Sequence, residues 1–454
     1  MHTCRRFMSY ICAGLLTAAA VSGCGGSKKN ETIPTTVAIF NAHSLIFRNN
    51  TAMTMGYNAF GQLGDNSLEN RAVATKVFGL GHMTGGAVGA EHTLAFSNHT
   101  SVVMAWGYNA YGQLGDPAIS TSVNTAFSST PVKAQLERPV TDVAAGGFHS
   151  LGVANGSIYA WGNNDYGQVG NGAFSPKQTT PAKLTNYTEA SLNSAKAVAA
   201  GGYHSAALLN NGTVYAWGDN SYGQLAFSPN TTAKSSIPMK VPVPVTTGQV
   251  EAIAAGGKFT LALEVVRDAF NKIIGQTLWG WGFDGVGQLG IDPASATLPK
   301  RQAGKNDTAY TRTPVAVRSI PTADGTTIVI KKFVAGTDHI LLLLGARDND
   351  GSDGSWTVKA VGYNYFGQLG NNMGLSPTNK STEISSFEFV NTLNTSGTPD
   401  LTGVTDIAAF GQHSLAKVGG VWYGWGNNDM GQLGNPVPTS SAGNPKIPVL
   451  VQGQ

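Results

Sequence analysis

Apolar and polar residues in this chain alternate in short runs that stop at Gly, Asn or Pro, and no stretch keeps a 3.6-residue period. His204 to Leu209 is one such run and Thr213 to Trp217 is the next, with Asn210-Asn211-Gly212 between them. Asn and Gly tolerate positive φ, so the pair reads as a β-hairpin. A Gly-rich turn follows Trp217-Gly218, and Ile237-Pro238-Met239-Lys240 then reads as an extended Pro-bearing strand. The pattern predicts an all-β chain nearly without helix.

The same order recurs. Trp161-Gly162-Asn163-Asn164-Asp165-Tyr166-Gly167-Gln168-Val169-Gly170 has six further copies, starting at Met55, Trp106, Trp217, Trp281, Val361 and Trp425. A second motif precedes each copy, as in Ala144-Ala145-Gly146-Gly147-Phe148-His149-Ser150-Leu151. Its His position holds His43, His92, His149, His204, His339 and His413, and Phe259 in the fifth repeat. Units of this length with three or four short strands each predict a β-propeller.

The paired motifs, seven times in fixed order, resemble the regulator of chromosome condensation family. The resemblance covers roughly residues 34 to 454, and it implies an all-β, seven-bladed β-propeller. Closure is expected by pairing of the N- and C-terminal strands, the last strand completing the first blade and so protecting an edge. Trp106, Trp161, Trp217, Trp281 and Trp425 are expected to fill the gaps between blades, each with a ring N–H seeking a partner. His92, His149, His204 and His413, with the other repeat His, are expected as buried structural residues. They sit on different blades, so one metal could not gather them.

Composition narrows the setting. Charged residues are only 12% and Gly numbers 58, which suits a secreted all-β protein. A net charge of +3 gives no basic face for nucleic acid. Arg5 and Arg6 precede an apolar run, Ile11 to Val21, that is short for a bilayer span and reads as a signal peptide. Val21-Ser22-Gly23-Cys24 resembles the lipobox of bacterial lipoproteins. That resemblance implies cleavage after residue 23, a lipid on Cys24 and a tether over 24–34, ahead of a single propeller over 35–454. The expected location is the cell envelope, anchored to the outer membrane or cell surface. No other cofactor is expected, and the protein is expected to be monomeric.

Catalytic constellations are missing: there is no phosphate-binding Gly-Lys loop, no nucleophile elbow and no His-Glu-x-x-His. Asp348, Asp350 and Asp353 alternate with Gly as Ca²⁺ ligands do. The closing Glu is replaced by Lys359 and the flanks are strands, so the segment reads first as a solvated acidic hairpin tip. The fifth and sixth repeats differ most from the others. Their His-to-Trp spacing rises from 12–14 residues to 22, and long segments follow at Ile291 to Arg312 and Asn371 to Asp400. Both insertions are expected on one face, bringing Lys300, Arg301 and Lys305 near Asp348, Asp350 and Asp353 as a binding patch.

These features lead to an expected function: a non-enzymatic, lipid-anchored propeller that binds an unknown protein. The alternative is Ca²⁺-dependent binding or processing of a surface carbohydrate polymer. The family resemblance also implies guanine-nucleotide exchange or Trp-based light sensing. A lipoprotein signal disfavours the first, and the lack of a stacked Trp set disfavours the second.

Overall fold

The computed structural model describes residues 42–454 apart from 98, 123, 137–138, 186–192, 246, 291–309, 322–326, 348–352, 374–384, 393–394, 398–399 and 437–443. The described residues form seven antiparallel sheets and no α-helix. Six sheets have four strands in chain order, and the first has three among the described residues. The third blade shows the plan: Val140–Ala145, His149–Ala154, Ser157–Asn163 and Lys177–Lys183. The second strand is buried at every position because blades cover both its faces. The outermost strand is the half-exposed one and carries Pro181. Proline cannot donate to a neighbour, so it blunts an edge that would otherwise recruit further strands. It faces a skip in register between Ala160 and Gly162, where the strand bends.

Consecutive antiparallel strands place successive connections at alternate ends. The first-to-second turn, Gly146-Gly147-Phe148, and the third-to-fourth turn from Asn164 leave one face, because Ala145 pairs with Ser150 and His149 with Gly162. The Asn155-Gly156 hairpin leaves the other face. This corrects one sequence expectation. In the fifth and sixth blades the longer His-to-Trp spacing lengthens the middle hairpin, with Phe259–Arg267 and His339–Arg347 pairing to Ile273–Phe283 and Asp353–Tyr363. The later insertions leave from the opposite strand ends, where Phe283 pairs with Tyr310 and Tyr363 with Ser385. The segment carrying Lys300, Arg301 and Lys305 and the one carrying Asp348, Asp350 and Asp353 therefore depart from opposite faces of the ring.

Seven apolar clusters hold the ring, one at each blade junction. Each repeat Trp is fully buried in such a cluster. Its ring N–H donates to the backbone carbonyl of the Gln in the preceding blade: Trp106 to Gln62, Trp161 to Gln113, Trp217 to Gln168, Trp281 to Gln224 and Trp425 to Gln368, all at 2.8–2.9 Å. The same carbonyl accepts the hydroxyl that follows the repeat His, as in Ser150 to Gln113 at 2.8 Å. That hydroxyl has only one proton, and the carbonyl takes it. It can therefore only accept from the His of the previous blade. His92 reaches Ser150, His149 reaches Ser205 and His204 reaches Thr260, at 2.9–3.0 Å. The acceptor role puts a proton on Nε2, and burial keeps the imidazole neutral.

Ring closure uses the same parts. His413 bonds Ser44, and the Ser44 hydroxyl donates to the Gln432 carbonyl at 2.7 Å. The last strand, Val449–Leu450, pairs with Val421–Gly426 and so completes the seventh sheet. Among the described residues the last strand thus completes the seventh blade and not, as expected, the first, and the chain meets the first blade beyond it where the Ala74 N–H donates to the Gln452 carbonyl at 2.9 Å.

Two junctions depart from the rule: at the closure Met55 stands in the Trp place, and the junction of the fifth and sixth blades departs at all three positions. Between the fifth and sixth blades Phe259 takes the His place, Ile340 the hydroxyl place and Val361 the Trp place, all fully buried. Gly256 shows that the Phe ring fills the same slot. A Cβ there would lie 2.1 Å from Phe259, as one on Gly146 would lie 2.2 Å from His149. Replacing both partners of a buried hydrogen bond by apolar groups is nearly neutral, whereas removing one strands the other. Farther out, Gln276 ties these two blades by accepting from the Ile330 N–H at 2.7 Å and donating to its carbonyl at 3.2 Å.

Two outcomes are expected. His204→Phe alone should cost about 1–3 kcal/mol by taking away the donor to the buried Thr260 oxygen, while His204→Phe with Thr260→Val, in which the Gln224 carbonyl keeps the Trp281 N–H, should recover part of that loss in a denaturant-unfolding cycle. Burial also holds the six repeat His near pKa 3, below their usual 6.5. The unfolded chain takes up these protons first, so stability present above pH 6.5 is lost as pH falls toward 3, by up to about 1.4 kcal/mol per pH unit for each His. Glu91, Asp142 and Asp338, raised by burial to about 7, 6 and 6, act in the opposite sense below those values, but they are fewer. Calorimetry should therefore show the melting temperature falling below about pH 6, and less steeply in the double variant.

Candidate functional site

The first strands converge on a narrow central cavity walled by backbone, including Gly146, Gly201, Gly256 and Gly336. Blades meet there by direct peptide hydrogen bonds: Ala90 to Gly146, Gly147 to Gly201, Gly202 to Gly257, Gly257 to Thr337 and Thr337 to Gly411, at 2.8–3.3 Å. A side chain would prevent this approach. A Cβ on Gly146 would stand 2.6 Å from the Gly201 carbonyl oxygen.

Around one mouth of the cavity stand two sets of side chains. The first is the residue just before each repeat His: Glu91, Phe148, Tyr203, Lys258, Asp338 and Gln412. The second comes from the turn after Trp-Gly, which is tied internally. In the third blade Val169 N–H donates to the Asn164 side-chain oxygen and Tyr166 N–H to that of Gln168, each at 2.9 Å. Both bonds recur in all seven blades, with Asp284 standing for Asn in the fifth. Each turn enters through a Gly held at positive φ, such as Gly162 at +102°, where a Cβ would meet the Phe148 carbonyl oxygen at 2.6 Å. So fixed, the turns present Phe60, Tyr111, Tyr166, Tyr222, Val286, Phe366 and Met430 at one equivalent position.

The two sets meet as a collar of aromatic rings. Phe60 lies 4.9 Å from Tyr108, Tyr111 5.5 Å from Phe148, Tyr166 5.1 Å from Tyr203 and Tyr222 5.3 Å from Phe283, centroid to centroid. Charge is set among the rings. Lys258 Nζ stands 4.5 Å from the Tyr222 centroid and feels Asp219 and Asp338. Burial raises both carboxyls, and Lys258 partly opposes it. Burial, reinforced by neighbouring tyrosines and carboxylates, pushes the Tyr203 hydroxyl up to about 12. Half-buried rings with a few charges are the composition of a recognition surface, and no nucleophile with its base is assembled among the described residues.

The structure assigns the repeat Trp and His to the blade junctions, as expected from their spacing. It brings no pair of the Lys300, Arg301, Lys305, Asp348, Asp350 and Asp353 patch together within the described residues. Asp353 opens the strand Asp353–Tyr363, but its side chain and the other five residues lie outside what is described, as does Cys24. The Ca²⁺ reading of Asp348, Asp350 and Asp353 lies there too. Sequence reasoning passed over the collar because it sits inside the motif taken as a structural joint. One signal was present: the residue before the second turn Gly is apolar or aromatic in every copy, although its neighbours in the turn are mostly Gly, Asn, Asp and Gln.

Comparison with known proteins agrees with this architecture. The RCC1-like domain family matches residues 87–453. The probable E3 ubiquitin-protein ligase HERC6 of Homo sapiens is 32% identical over 256 residues, covering 55% of this chain and 23% of that protein. The ultraviolet-B receptor UVR8 of Arabidopsis thaliana is 30% identical over 235 residues, 51% of this chain and 48% of its own length. The chain thus spans less than half of either relative. Among solved structures, Prp20p from Saccharomyces cerevisiae, described with its binding to Gsp1p and histones, superposes with a TM-score of 0.65. It has 22% identity over 90% of this chain and 87% of its own. Human WBSCR16 superposes at 0.62 with 21% identity, covering 87% and 93%. With the family match spanning most of the chain, from the second blade to the seventh, the protein belongs to the RCC1-like domain family.

Proposed function

We propose that this protein is a non-enzymatic, lipid-anchored propeller that holds a protein partner against the collar face. The single observation that carries this reading is the repeated collar position, which presents an apolar or aromatic side chain from all seven blades toward one face. Tyr166 and Met430 keep about 40% of their surface exposed there. Rings of this kind supply most of the energy of protein interfaces at low entropic cost. The insertions Ile291 to Arg312 and Asn371 to Asp400 leave from this same face, so the fifth and sixth repeats would add to its rim. The middle hairpins of those repeats belong to the far face.

Anchoring rests on Val21-Ser22-Gly23-Cys24 and the apolar run before it. Among the described residues no helix is long and apolar enough to cross a membrane. A lipidated Cys24 would place the propeller in the cell envelope, with residues 24–34 as a tether.

Two experiments test the reading. Cys24→Ser should move the protein from the membrane to the soluble fraction, and continued membrane retention would refute the anchor. A photo-cross-linking residue in place of Phe366 on the collar face should trap a protein in intact cells, whereas one in place of Phe270 on the far face should not. The Phe366 adduct should weaken at least about tenfold when Tyr111 and Tyr222 are both changed to Ala. Equal trapping from both faces would sink the assignment, and a carbohydrate adduct would favour the surface-polymer alternative.

A further inference from the structure

The propeller contains an internal template for reading one sector of its own mouth. In the fifth blade, Lys258 precedes the repeat position, its carbonyl accepts from the Phe283 N–H at 2.9 Å, and Tyr222 of the fourth blade lies beside it. Lys258 Nζ stands 4.5 Å from the Tyr222 centroid and 5.9 Å from that of Phe283. Asp219 and Asp338 supply the counter-charge. The ammonium thus stands over two aromatic rings and within electrostatic reach of two carboxyl groups of its own chain.

Three blades back the same frame recurs with different charges. Glu91 takes the Lys258 place, its carbonyl accepting from the Tyr108 N–H at 2.8 Å. Phe60 takes the Tyr222 place and Tyr108 the Phe283 place, with ring centroids 4.9 Å apart. Phe148, in the Asp338 place, closes the side 6.1 Å from Tyr108. The match extends to the backbone. A Cβ on Gly107 or Gly282 would meet the Glu91 or Lys258 carbonyl oxygen at 2.4 or 2.5 Å.

Here the rings and the anion are present, and no cation accompanies them. No hydrogen bond or ion pair holds the Glu91 carboxylate among the described residues, and burial without a compensating charge lifts it to about 7. Its electrostatic neighbour is the Tyr57 hydroxyl. The outer neighbours differ in the same direction. Lys177 and Lys234 begin the fourth strands of the third and fourth blades and reach back to the Ala110 and Asp165 carbonyls in the preceding turns. In the second blade that position is Phe127, paired with Tyr108.

We propose that Glu91, Phe60, Tyr108 and Phe148 form a binding site for an alkylammonium group, supplied from outside as Lys258 supplies one within the fifth blade. The inference rests on reading the collar as a docking face, since a lysine of the partner is the ligand it would take. A free polyamine carries the same group, and the test separates the two sources.

The full chain in non-ionic detergent is titrated calorimetrically at pH 8 with Nα-acetyl-lysine methylamide, with spermidine, and with the uncharged Nα-acetyl-norleucine methylamide. One blocked lysine should bind per chain and the norleucine compound should not. Glu91→Gln, which keeps shape and fold, should weaken binding at least about tenfold. Lys258→Met should open the second cage and raise the stoichiometry from one to two. Binding of the blocked lysine places the group on a protein, and binding of spermidine alone places it on a polyamine; either supports the ammonium site. No saturable binding of either cation, equal binding of the norleucine compound, or affinity unchanged in Glu91→Gln would overturn it. None of these outcomes depends on a partner, so failure of the site and failure of the docking reading are told apart by the collar cross-link.

Discussion

The backbone carbonyl of the motif Gln is the constraint on which the ring depends. At five of the seven junctions it accepts two donors from the following blade, the hydroxyl after the repeat His and the indole N–H of the repeat Trp. Both lone pairs are used, so the carbonyl fixes where the next blade sits along its neighbour and how far it is turned. The Gln side chain meanwhile ties the turn that bears the collar, through the bond from Tyr166 N–H in the third blade and its equivalents. One residue thus sets both the blade spacing and the placement of the binding surface. That is why a surface made of turns can hold rings within about 5 Å of one another without a helix or a disulfide.

Much of the fold was legible from spacing alone. Seven copies of a paired motif implied seven blades, and the Pro-bearing run after each copy became the half-exposed outer strand, as Pro181 shows. The junction roles of Trp161 and His149 followed from bulk and from recurrence on separate blades. Two matters were not legible. Assigning an insertion to a face requires knowing how many strand reversals separate it from a reference point, and the longer His-to-Trp spacing gave no sign that it would become paired strand, as it does from Phe259 to Arg267. The collar was hidden for a different reason. A repeated motif draws attention to its invariant Gly and Gln, whereas the collar is made by the variable positions between them, such as Tyr222, Val286 and Met430. Only the three-dimensional ring brings Tyr111 of one repeat against Phe148 of the next.

The electrostatics of the molecule divide along the same line. The six buried imidazoles are neutral, each used as a fixed donor, and chemically quiet. The charged groups that matter for recognition sit at the mouth, where Lys258 is satisfied by its own surroundings and Glu91 is not. Burial disfavours charge in both places: it keeps the junction imidazoles neutral and lifts the Glu91 carboxyl to about 7.

The apolar junction between the fifth and sixth blades has a consequence for how the ring orders itself. At the other six junctions a His meets a Ser or Thr, so those surfaces are chemically interchangeable and any blade could dock against several others while the chain collapses. Phe259 against a serine would bury a hydroxyl without a donor, and a His against Ile340 would lose its acceptor. The two surfaces that face each other at this junction match only each other. In a ring of near-identical parts this junction is an address, giving the assembling chain one contact that says which neighbour is correct.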